Sequence, residues 1–166
     1  MAGRRSLRHV GRAACAALLL APACPVRATD AATWLCLTET RGTQSLVARL
    51  PLGDDRTFDL SFIHSVSRTL VTDSYVVETG EIIQTREVFV AHGAGLPSIA
   101  NDMDATAWRH ENGQFILDMR RHTGPIPLRV QAQFKNTLHI ADKAFPLADL
   151  GHAALTLAPC DEETSK

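Results

Sequence analysis

The residue types best suited to chemistry cluster in Phe62-Ile63-His64-Ser65-Val66, with Asp73 shortly downstream. An imidazole and a carboxylate on neighbouring strands can act as a dyad, the acid orienting the ring for proton transfer or metal binding. The same two groups can instead be a structural cross-link, because a buried carboxylate is costly unless a donor such as an imidazole satisfies it. The structural pair is the preferred reading of the two. Ser65 invites a nucleophile reading. Neighbours on a strand point to opposite faces, however, which keeps Ser65 away from the His64 ring, and the chain has no G-x-S-x-G elbow.

Gly93-Ala94-Gly95-Leu96-Pro97 is a second candidate. Gly93 and Gly95 can adopt the positive φ that aims successive amides at one anion, and Pro97 can fix the exit of the loop. The plainer alternative is a tight connection between layers. The segment lacks the Lys-Ser/Thr tail of a phosphate loop and the spacing of a dinucleotide turn. His64, His92, His110, His122, His139 and His152 form no close ligand pair, so neither metal nor cofactor is expected. Asn101–Asp104 begins like a calcium loop without its Gly and Glu. Arg120-Arg121-His122 is a basic cluster that reads as surface or as a holder for a carboxylate.

The elements that must position these groups read as strands, since short β-branched and aromatic runs alternate with turn residues and few helical faces exceed two turns. The expected strands are 33–38, 45–50, 57–66, 70–78, 81–91, 106–110, 114–118, 127–134, 137–140 and 153–158, with a short helical turn within 144–152. Asn112-Gly113 marks a hairpin. This pattern predicts an all-β, single-domain, antiparallel sandwich or partly closed barrel over residues 29–160, followed by a polar tail at 161–166. Phe58, Leu60, Phe62, His64 and Val66 share one face of a strand, and Val71, Asp73, Tyr75 and Val77 share one face of the next. A loop of Ser67–Leu70 sets Val66 opposite Val71, His64 opposite Asp73, Phe62 opposite Tyr75 and Leu60 opposite Val77.

The stretch FIHSVSRTLVTDSYVV, with VFVAHGAGLPS after it, resembles a family of small exported bacterial proteins, domain-of-unknown-function family 1850. The matching positions are His64-Ser65-Val66, Asp73 and Gly93-Ala94-Gly95-Leu96-Pro97. Asp73 stands where that family usually has the longer Glu. The resemblance implies export and, by gene neighbourhood, association with a tripartite TRAP-type solute transporter; it implies no catalytic mechanism.

Export also follows from the residues themselves. Arg4, Arg5, Arg8 and Arg12 precede an apolar run from Ala13 to Cys24, and Val26-Arg27-Ala28 offers a small-residue cleavage site. This is the layout of a signal peptide over residues 1–28, with lipidation at Cys24 as the lesser alternative. The run is shorter than the roughly 20 residues a spanning helix needs, so membrane contact is expected only through this segment. The periplasm, or secretion beyond it, is the expected location. Removing residues 1–28 leaves Cys36 and Cys160, near opposite ends of an exported domain, where one disulfide is the simplest outcome.

The chain holds 17 Lys+Arg against 18 Asp+Glu, yet the balance beyond residue 28 is acidic, which argues against a nucleic-acid partner. The resulting expectation is a non-enzymatic accessory or small-solute-binding domain. A small hydrolase using the His/Asp pair, or an envelope scaffold, are the alternatives.

Overall fold

The computed structural model describes residues 34–90 and 104–161. Its strands are β1 (Trp34–Glu39), β2 (Leu46–Pro51), β3 (Thr57–Ile63), β4 (Leu70–Glu78), β5 (Glu81–Phe89), β6 (Ala105–Glu111), β7 (Gln114–His122), β8 (Ile126–Arg129), β9 (Thr137–Ile140), β10 (Lys143–Pro146) and β11 (Ala154–Cys160). They form two antiparallel sheets, one ordered β2-β1-β11-β8 and the other β10-β9-β3-β4-β5-β7-β6. The layers form an all-β sandwich with no closed barrel. Residues 1–33, His92, the Gly93–Pro97 loop, Asn101–Met103 and the tail beyond Asp161 lie outside the described residues.

Alternation along the strands builds the core. Leu35 and Leu37 of β1 and Leu155 and Leu157 of β11 point inward from the smaller sheet. They meet Phe58, Leu60, Tyr75, Val77 and Leu138 of the larger one. Each such leucine, fully buried, contributes on the order of 2 kcal/mol of transfer free energy. The first and last described strands meet because β1 pairs with β11, and this adjacency brings Cys36 and Cys160 to a Cα separation of 5.9 Å, where they form a disulfide across 124 positions of sequence.

Two expectations that bear on the site are corrected, beside smaller differences such as β3 stopping at Ile63 rather than Val66 and a strand, β10, at the start of the segment expected as a helical turn. Segment 127–134 is not one strand. β8 stops at Arg129, a 3₁₀ turn follows at Ala132–Phe134, and Lys135 closes that turn at φ 49°. The second correction concerns the β3–β4 register: Phe62 faces Val71, Leu60 faces Asp73 and Phe58 faces Tyr75. The hairpin loop is Ser65–Arg68, closed by the His64 N–H donating to Thr69 O at 2.8 Å and the Arg68 N–H donating to His64 O at 2.9 Å. The slip relative to expectation is an even number of residues, so each side chain keeps its predicted face while its partner changes. Stacking of Phe58 on Tyr75, with ring centroids 4.9 Å apart, favours the observed pairing, and Val66 is left exposed at the hairpin tip.

Candidate functional site

Between the layers, at the β8 edge of the smaller sheet, lies an open cavity of about 520 Å³. Leu60, Phe62, Leu128, Phe134 and Leu147 supply its apolar walls, and His64, Ser65, Asp73 and Tyr75 also line it. The structure therefore brings His64 and Asp73 to one cavity but not to one hydrogen bond, because Leu60 occupies the cross-strand position opposite Asp73.

His64 is held by its own hairpin. The Ser67 backbone N–H donates to His64 Nδ1 at 3.2 Å, and Ser67 Oγ lies 3.2 Å from the same nitrogen. A backbone amide can only donate, so Nδ1 is the acceptor and the neutral ring carries its proton on Nε2. This arrangement offers the cavity a fixed donor rather than an acid-oriented base. Ser65 sits exposed at the cavity lip. It is Ser67, not Ser65, that touches the imidazole, a contact no strand-based reasoning could supply because it belongs to a turn.

Asp73 has different partners. Tyr75 donates its hydroxyl to Asp73 Oδ2 at 3.4 Å, and Gln84 Nε2 donates to Oδ1 at 3.1 Å. Burial raises the Asp73 carboxyl from its ordinary 3.8 to about 6, against the pull of the two hydrogen bonds and the nearby Arg121 guanidinium. Burial, and next the Asp73 charge, push the Tyr75 phenol upward, so it remains a donor. Gln84 reaches Asp73 from β5, where the register shifts between Ser74 and Tyr75 of β4. Tyr75 and Gln84 are the site residues that sequence reasoning missed. Tyr75 was visible as a same-face neighbour of Asp73, whereas the bulge that aims Gln84 left no signal.

The long sides of the cavity are strand edges. Along an antiparallel strand, N–H and C=O of one residue point to the same side and those of the next residue to the other. His64 bonds across to Thr69, so Ile63, the last residue of β3, turns its backbone groups the opposite way. There, β9 pairs with β3 only over Asp59–Ser61. Across the cavity is β8, the outer strand of its sheet among the described residues. Val130 N–H donates to Ala153 O at 2.9 Å, on the β11 side. By alternation, the N–H and C=O of Arg129 and the C=O of Pro127 face the cavity.

The remaining candidates are engaged elsewhere. Arg120 pairs with Glu78, Arg121 with Asp104 and His122 with Glu81, so this basic cluster is tied into the sheet surface. His139 Nε2 bonds Ser61 Oγ at 2.8 Å, and His152 pairs with Glu39. Among the described residues, no group of three His, Cys, Asp or Glu side chains converges as a metal site.

No curated protein and no solved structure matches the chain. A family model described as "Domain of unknown function (DUF1850)" matches residues 58–147, more than half of the sequence. The match spans the β3–β4 hairpin, the cavity walls and β8, and on that ground the chain belongs to the DUF1850 family.

Proposed function

We infer that this protein is an exported, non-enzymatic accessory or binding domain whose working surface is the interlayer cavity. The observation that carries this reading is the cavity itself: a volume of about 520 Å³, apolar walls and a few convergent polar groups are the usual features of a binding site. The inferred location is the periplasm, reached through the 1–28 leader, and the inferred partners are a small organic solute or a component of a TRAP-type transporter. Against a His/Asp enzyme stands the bonding just described, in which Asp73 is committed to Tyr75 and Gln84 and does not orient His64.

Thiol labelling tests this reading without knowledge of the occupant. With Cys36 and Cys160 joined, Ser65→Cys places a reporter thiol at the cavity lip, and Asp142→Cys, on the exposed β9–β10 turn, serves as a control. Maleimide should label Ser65→Cys several-fold more slowly in intact envelopes than in the purified protein, while Asp142→Cys reacts alike in both. Equal rates for both positions in both preparations would contradict occupancy of the cavity.

A further inference from the structure

The two long sides of the cavity are made of main chain. Ile63 turns its backbone groups toward it from the end of β3, beyond the Asp59–Ser61 pairing with β9. Arg129 and Pro127 do the same from β8, an outer strand. Leu60, Leu128, Phe134 and Leu147 form the floor between them. The hairpin tip next to Ser65 exposes one large apolar side chain, Val66 at 62%. An outer strand edge is a template for another strand, and a compact solute on this floor leaves the outward amide and carbonyl groups of β8 without a strand partner among the described residues.

We propose that the cavity receives an extended peptide segment of a partner protein, which adds to β8 as a strand and sets alternate apolar side chains onto the floor. This mode of recognition draws affinity from main-chain hydrogen bonds and specificity from side-chain pockets. It rests on the binding reading above and names the class of occupant. Because Pro127 has no N–H, the β8 edge offers one donor, at Arg129, and two acceptors, at Pro127 and Arg129. β8 is four residues long, which matches a peptide contact of about 13 Å. Within the floor, Asp73 and Tyr75 form a single polar spot. One inward side chain of the peptide is therefore a hydrogen-bond donor (Ser, Thr, Asn or Lys) among apolar neighbours.

The experiment selects heptapeptides from a random display library on the purified protein and measures the consensus peptide by calorimetry against two variants. Arg129→Ala changes the side chain and keeps the amide; Arg129→Pro removes the amide donor. The expected result is a Kd within about threefold of the parent for Arg129→Ala and at least about tenfold weaker for Arg129→Pro, the loss of roughly one hydrogen bond. Methylation of the peptide's own amides, one at a time, should weaken binding about tenfold on alternate residues and leave the others unchanged, a readout independent of how Arg129→Pro folds. Equal loss in both variants, or methylation effects without alternation, would overturn strand addition. If no peptide is selected while Ser65→Cys is shielded in envelopes, the cavity still binds something and only the peptide assignment falls. If Ser65→Cys is also unshielded, both readings fall.

Discussion

Tyr75 performs two tasks with one side chain: its ring stacks on Phe58 with centroids 4.9 Å apart, and its hydroxyl donates to Asp73 Oδ2 at 3.4 Å. The stack sets the β3–β4 register, and the hydrogen bond holds the acid in the cavity wall. Truncating Phe58 therefore disturbs both the core and the site. Phe58→Ala should destabilise the fold by about 3–5 kcal/mol, the usual cost of emptying a buried aromatic position. Urea denaturation measures it, and a loss below about 1 kcal/mol would show that the stack does not set the register.

The Asp73 carboxyl should make stability fall as pH rises. Its value in the folded protein, about 6, lies above its ordinary 3.8, so the folded state binds this proton more tightly than the unfolded chain does. The contribution is most favourable below about pH 4, declines between about pH 4 and 6, and stays at its lower level above that. The loss is on the order of 3 kcal/mol. Asp73→Asn keeps the shape without the charge. The difference between wild-type and variant stability, measured from pH 3.5 to 8, should follow this sigmoid, with the variant the more stable at neutral pH. A flat difference would mean the carboxyl is solvated.

Much of this geometry was legible in the sequence, and the misses share a cause. The faces of β3 and β4 were readable because Phe58, Leu60 and Phe62 alternate with polar residues, and Cys36 with Cys160 announced the contact between β1 and β11. The register was not readable. Val66 opposite Val71 gives as good a hydrophobic match on paper as the observed pairing, and the turn that decides the matter uses Arg68 at φ 58°, a position no glycine advertises. The end of β8 was hidden for a similar reason: Val130 is apolar and buried, so the run appeared to continue into a segment that instead turns at Lys135. Pro127 did carry the hint of an outer strand.

Arg68 itself yields a prediction. A residue with a β-carbon pays to adopt the left-handed conformation, and glycine does not. Arg68→Gly should stabilise the hairpin by up to about 1 kcal/mol, read as a higher urea midpoint with the same slope. Destabilisation would indicate that the arginine side chain contributes more than its backbone costs.

The disulfide closes nearly the whole domain. Replacing Cys36 and Cys160 together by serine should cost about 2–5 kcal/mol, the range expected for a native bridge spanning a long loop. Denaturation of the double variant beside the oxidised parent provides the measurement. Equal stabilities would place the two thiols apart in the folded protein.

The exposed ion pairs of the large sheet should matter less. Asp118 accepts hydrogen bonds from both Arg86 and Arg109. Against the upward push of its slight burial, these hold its carboxyl below the ordinary range, so its stabilising contribution is present at neutral pH and is lost as pH falls below about 4. Asp118→Asn should cost about 1 kcal/mol at neutral pH in low salt and less in high salt. A salt-independent loss would point to packing instead.

Amide hydrogen exchange, followed residue by residue in the purified protein, tests the free-edge account of the cavity most directly. The His64 and Val130 amides, bonded to Thr69 O and Ala153 O, should exchange slowly, while those of Ile63 and Arg129, one position away, exchange fast and become protected only when a strand is added. Slow exchange at Ile63 and Arg129 in the protein alone would show both edges already covered and would contradict the account.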